Sequence, residues 1–145
     1  MIKMNTLQDI MTKDPICLSE HANVHKARML MAEKSIRHIP IKDIDSDRLI
    51  GMLSQKAVLS NAIKIINHRG FEKLQHEEKS AGISSIMNNS PAIFDIEDSI
   101  VGVAKNLLEQ KSGCVAITEN SKLVGVITSN DFVKLTVNQT DLSGS

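Results

Sequence analysis

The sequence predicts an α/β fold of two repeated βαββα units packed with pseudo-twofold symmetry. Three observations carry that reading. Short apolar runs rich in Val and Ile, at residues 49–53 and 123–127, lead straight into stretches with helical spacing. Each such junction carries a hydroxyl residue, Ser54 or Thr128, where a helix would start. The whole order of elements also occurs twice. Met87, Pro91 and Ser99 follow Met11, Pro15 and Asn23 by 76 residues, and Gly125 follows Gly51 by 74.

Taken in order, the chain opens with a short helix within residues 1–12. Thr6 and Asp9 form a capping-box pair, Leu7, Ile10 and Met11 share a face, and Pro15 ends the element. Residues 16–18 read as a strand. Asn23 caps a helix that turns Val24, Ala27, Leu30 and Met31 inward. Strands follow at 38–41 and 49–53, separated by a charged turn at 43–48. Ser54 then begins a helix carrying Val58, Leu59, Ala62, Ile65 and Ile66. In the second copy residues 92–94 take the first strand place. Ser99 caps a helix with Ile100, Val103, Leu107 and Leu108, and strands follow at 114–117 and 123–127. The two-residue shortfall in the later offset places two extra residues in the 43–48 turn, where insertion costs little. The expected domains are 4–66 and 83–138, joined by a polar linker at 67–82 and followed by a flexible tail at 139–145. Each repeat alone has about 60 residues and would be marginal by surface-to-volume scaling, so the two are expected to bury their sheets against each other.

Composition narrows the function. Lys plus Arg and Asp plus Glu each number 17 in 145 residues, giving zero formal charge and no basic excess for nucleic acid. Three Phe, with no Trp or Tyr, leave almost no platform for stacking bases. No apolar run approaches a bilayer span, and the opening residues lack the order of a signal peptide, so a cytoplasmic location is expected. Cys17 and Cys114 lack metal spacing and read as buried free thiols. His21 and His25 stand four apart without a third ligand, which favours solvated surface over a metal pair. Met29 and Met31 read as core filler. No nucleophile–base pair, metal set or phosphate loop is visible, so an enzyme is not expected.

The repeated motifs carry a family resemblance. In the first copy they are Asp9-Ile-Met-Thr with Pro15, Ile36-Arg-His-Ile-Pro-Ile and Gly51-Met-Leu-Ser. In the second they are Ser85-Ile-Met with Pro91, Gly113-Cys-Val-Ala-Ile and Gly125-Val-Ile-Thr-Ser-Asn-Asp. The chain resembles a tandem pair of cystathionine β-synthase (CBS) domains, a Bateman module, over about residues 4–138. The resemblance implies a non-catalytic regulatory module that senses an adenosine derivative: AMP, ADP, ATP or S-adenosylmethionine. It needs no cofactor, commonly forms a homodimer and serves an effector protein. The family's ribose motif, Gly-x-x-Thr/Ser-x-x-Asp, falls on Gly125, Thr128 and Asp131. A carboxylate suits ribose because it accepts from both hydroxyls. The resemblance brings Ile36, Arg37, His38, Ile39 and Pro40 of the first copy to the same ligand, with Arg37 and His38 as phosphate donors. It also brings the segment from Thr12 through Asp14 to Pro15 beside the base. The second, weaker site would use Ser54, Gly113 and Cys114, because Ala57 stands where the acid belongs. The alternative is an adaptor module with vestigial sites.

Overall fold

The computed structural model describes residues 6–110 and 113–134. The expected tail at 139–145 lies outside them, as do residues 1–5 of the stretch expected to open with a helix.

The chain divides into two compact units. Among the described residues, one holds 16–91 and the other holds 6–15 with 92–134. In the first, β2 (Leu18–Ser19) pairs in parallel with β3 (His38–Lys42), which pairs antiparallel with β4 (Leu49–Ser54). Helices α2 (Val24–Lys34), α3 (Gln55–Arg69) and α4 (Leu74–Ser80) belong to this unit. In the second, β1 (Thr12–Lys13), β7 (Lys122–Thr128), β6 (Cys114–Glu119) and β5 (Ile93–Asp95) lie side by side in that order. Helices α1 (Leu7–Ile10) and α5 (Ile100–Gln110) and a final helix, α6, at 129–134 complete it.

The caps read from the sequence are in place. Asn23 Oδ1 accepts from Lys26 N at 2.8 Å, Ser54 Oγ from Ala57 N at 3.1 Å, and Ser99 Oγ from Gly102 N at 3.0 Å. Thr6 N donates to Asp9 Oδ2 at 2.9 Å. Each cap satisfies a backbone N–H that the first helical turn leaves without a partner, for about 1 kcal/mol apiece. The antiparallel hairpins match as well. Register shifts fall at Ile41/Lys42 in one and Ile117/Thr118 in the other, 76 residues apart. Lys42 faces Leu49 across six residues, whereas Thr118 faces Leu123 across four, which locates the insertion in the first turn.

Each unit has its own core. Val24, Ala27, Ile39, Ile41, Leu53, Val58 and Ile83 fill one, and Leu7, Val103, Val115, Ile117 and Ile127 fill the other. The periodic positions explain these sets, with exceptions. Leu59 is 53% exposed and Leu108 80% exposed, although the helical pattern predicts both inside with their neighbours. Each sits one residue beyond a buried or nearly buried position, Val58 or Leu107, and one residue turns a helical side chain by about 100°. Met29 is likewise half exposed, while Met31 is buried. The strand expected at 16–18 forms at Leu18–Ser19 instead, so Cys17 precedes it and is only partly buried. The expected linker contains α4.

The segment that opens each repeat packs in the other repeat's unit. Residues 12–13 pair with β7, Thr12 opposite Val126 and Lys13 opposite Gly125. Asn88 bridges Met52 on β4, with N–O distances of 2.9 and 3.0 Å. These pairings correspond under the repeat. Both need a glycine. A Cβ on Gly125 would lie 2.5 Å from Met11 Sδ and 2.9 Å from Thr12 O. One on Gly51 would lie 2.7 Å from Met87 Sδ and 3.0 Å from Asn88 O. A thioether can swing away, but a paired backbone carbonyl cannot do so cheaply.

Gly125→Ala and Gly51→Ala should therefore each destabilise the protein by about 1–3 kcal/mol in denaturant unfolding. Gly82→Ala, whose nearest neighbour would be Ser84 Oγ at 3.7 Å, is the control and should stay within about 0.5 kcal/mol of the wild type.

Candidate functional site

The β7–α6 junction concentrates the polar groups singled out in the second copy. β7 ends at Thr128 and α6 begins at once, so several N–H groups of the first turn point past the strand end. Asp131 Oδ2 accepts from Thr128 N at 2.8 Å and from Thr128 Oγ1 at 3.2 Å. Asp131 N donates back to Thr128 Oγ1 at 3.4 Å. The reciprocal bonds fix the carboxylate at the junction, half-buried, with Oδ1 making no hydrogen bond among the described residues. An oriented carboxylate oxygen of this kind accepts hydroxyl hydrogens without a further ordering cost.

Two other predicted residues, Gly113 and Cys114, flank this junction, while Thr12 and Asp14 lie farther back along β7 in the same unit. Cys114 stands opposite Thr128 in the β6–β7 register, and Gly113 O accepts from Ser129 N at 3.4 Å. Thr12 and Asp14 arrive on β1 and just beyond it, both exposed, with Asp14 N donating to Val124 O at 3.3 Å. Asp14 takes a left-handed backbone with φ 48°, which turns the chain as it leaves the sheet.

The first-copy residues lie in the other unit. His38 stands opposite Ser54, and Arg37 O accepts from Gln55 N at 2.8 Å. Arg37 is exposed, Ile36 and His38 are half-buried, and Ile39 and Pro40 are buried. Each unit thus sets the first residues of its own central strand beside its own helix start: basic residues beside Ser54, a glycine and a thiol beside Thr128. Ser54 caps α3, but Ala57 offers no carboxylate.

Sequence reasoning missed the pairing that sets Lys13 opposite Gly125 and Met11 over the same glycine, three residues before Thr128. A two-residue strand leaves no periodicity to read. His21 and His25 belong to no metal-binding group among the described residues. No helix of the described residues is long and apolar enough to cross a membrane.

Two stretches of the sequence, 7–64 and 83–138, match the CBS domain family. The chain belongs to the CBS domain family. This CBS pair is similar over nearly its whole length to solved structures. One is a putative acetoin utilization protein from Vibrio cholerae: 25% identity, TM-score 0.79, covering 98% of this chain and 97% of that one. Another is protein MJ0100, solved with 5′-methylthioadenosine and S-adenosylmethionine: 19% identity, TM-score 0.76, covering 94% and 99%. A third is CBSX2, solved with AMP: 22% identity, TM-score 0.75, covering 93% and 98%. Curated relatives matched at 23 and 25% identity are covered over 80% of their own length in one case and 24% in another. The chain thus matches most of the length of one relative and about a quarter of the length of another.

The thiol beside the junction is chemically quiet. Cys114 is 3% exposed, and burial first, then the Asp131 charge, push its pKa up to about 12 from 9.0. Only the thiolate alkylates, so iodoacetamide at about pH 8 should leave Cys114 unmodified in the folded protein. The unfolded thiol ionises above 9.0 and the folded one only near 12, so stability present below the lower value should be lost as pH rises between them. Denaturant titrations of the wild type and Cys114→Ala at rising pH check this, the variant's stability falling less steeply.

Proposed function

We propose that this CBS pair is a non-catalytic regulatory module that binds an adenosine derivative, AMP, ADP, ATP or S-adenosylmethionine. The observation that carries the reading is the Thr128–Asp131 junction, where a capping box presents an oriented carboxylate oxygen at the position of the family's ribose motif. In this reading Asp131 accepts the ribose hydroxyls, and Thr128 holds its carboxylate in place. Ile36, Ile39 and Pro40 contact the base. Arg37 and His38 donate to phosphate. The segment from Thr12 to Asp14 closes over the base. The second site, with Ser54, Gly113 and Cys114, lacks an acid at Ala57 and is weaker or empty.

The ligand acts by population shift: it favours the arrangement of repeats it binds best, by no more than its differential affinity. An effector protein or a homodimer interface reads that arrangement. Exposed Leu59 and Ile63 on α3, and Val101 and Leu108 on α5, support helix-mediated self-association. They equally favour the second reading, an adaptor module whose ligand sites are vestigial. The location we propose is the cytoplasm.

Calorimetric titration with the four ligands separates the readings. The sensor reading expects at least one to bind with Kd below about 1 mM, and binding of none would leave the adaptor. For the ligand that binds, Asp131→Ala should weaken affinity at least tenfold, about 1.4 kcal/mol. An unchanged Kd would remove the ribose assignment. Ala57→Asp should raise the stoichiometry, and a value equal to the wild type's would count against a second site.

A further inference from the structure

The least expected side chain in the molecule is Glu78. It lies in the stretch whose composition reads as a solvated linker, yet it is 0% exposed and is the one fully buried residue of α4. Its Oε1 accepts from Arg28 Nε at 2.7 Å. His25 Nδ1, one helical turn back on α2, lies 3.6 Å from the same oxygen, beyond hydrogen-bond range. Glu78 Oε2 and His25 Nδ1 are buried without a hydrogen-bond partner among the described residues. Leaving such atoms unsatisfied is costly, so stability alone does not account for a charge here.

The chain immediately after Glu78 suggests its role. Ala81 O accepts from Val24 N at 2.9 Å, Gly82 bridges Asn23, and Ile83 N donates to Ala22 O at 3.1 Å. Ile83 is fully buried, Met87 N donates to Ile83 O, and Asn88 bridges Met52 on β4. Residues 81–88 thus lie along the start of α2 and end on the edge strand that runs into Ser54. Backbone bonds alone do not fix the register of such a segment; the side chains it buries do. Helix α4 has seven residues, too few to be stable by itself, and only Leu74 and Glu77 are even half-buried beside Glu78. Two side chains distinguish one docking from its neighbours: Ile83, which must reach the core, and Glu78, which must find Arg28.

We propose that Glu78 is a positioning residue, a register pin that fixes residues 81–88 against α2 and β4. Arg28 is about one-third exposed, so the pair is part-buried; polar pairs that set register rather than stability have precedent in general protein behaviour. With the pin in place, Met87 sits over Gly51 and Asn88 covers β4; with it lost, the segment samples shifted pairings and the β4 edge opens. No ligand is needed for this role.

The test is amide hydrogen exchange on the full chain, read at Ile83, Met87 and Asn88 and, as reference, at Ile39 and Leu53. The double variant Arg28→Met, Glu78→Leu replaces the pair with apolar groups and should keep the melting temperature within about 4 °C of the wild type. Exchange at the three connector amides should nevertheless rise at least tenfold while the reference amides hold. Glu78→Gln keeps the shape without the charge and should show the same local rise. Connector amides that exchange as in the wild type in both variants would overturn the proposal. So would a rise matched at the reference amides, which would mean that the pair serves stability alone.

Discussion

The close approach of a methionine-bearing segment to a glycine on the last strand of each sheet is the constraint on which the structure depends. Met11 over Gly125 and Met87 over Gly51 are the same contact made twice. Only a residue without a side chain lets the backbone of residues 12–13 or of Asn88 reach the strand. That approach satisfies N–H and C=O groups that an edge strand would leave open. It also places the opening segment of each repeat in the other repeat's compact unit. A core of about 60 residues gains an extra piece of chain in this way, along with the apolar side chains Leu7 and Ile83 that fill the two cores.

The same strand ends deliver the chemistry. β4 and β7 each run into a helix without an intervening loop, so the helix start is held as firmly as the sheet. Backbone duplication makes the two junctions alike, while the side chains make them different. One has Ser54 alone with Arg37 and His38 beside it. The other has Thr128 and Asp131 with Cys114 beside them. The Ser54 hydroxyl still caps α3, but Ala57 lacks the carboxylate that accepts from the N-cap backbone N–H at Thr128. What it removes is an oriented acid, the group to which we propose the ribose hydroxyls donate.

Much of this was legible in the sequence because the repeat doubles every signal. Asn23, Ser54, Ser99 and Thr128 mark helix starts, and the offset of 76 residues aligns strands too short to recognise singly. The fold class and the junction residues follow from these. The exchange of segments does not, because composition and periodicity describe a stretch and not the sheet it joins. Residues 12–13 are a strand only because β7 offers an edge. Leu59 and Leu108 show a related limit: adjacent apolar residues on a helix both look internal, and packing chooses one. Glu78 shows the opposite failure, since nothing in a run of charged residues tells which one finds a buried partner.

Cysteine trapping tests the exchange of segments most directly. In a background with Cys17→Ser and Cys114→Ala, Thr12→Cys and Val126→Cys place two thiols on directly paired residues of neighbouring strands, within reach of a disulfide. Oxidation should join them within one chain, whereas Thr12→Cys with Met52→Cys, the corresponding position of the first repeat, should stay reduced. Rapid oxidation of the second pair and not the first would show that the opening segment belongs with its own repeat, and would contradict the exchange.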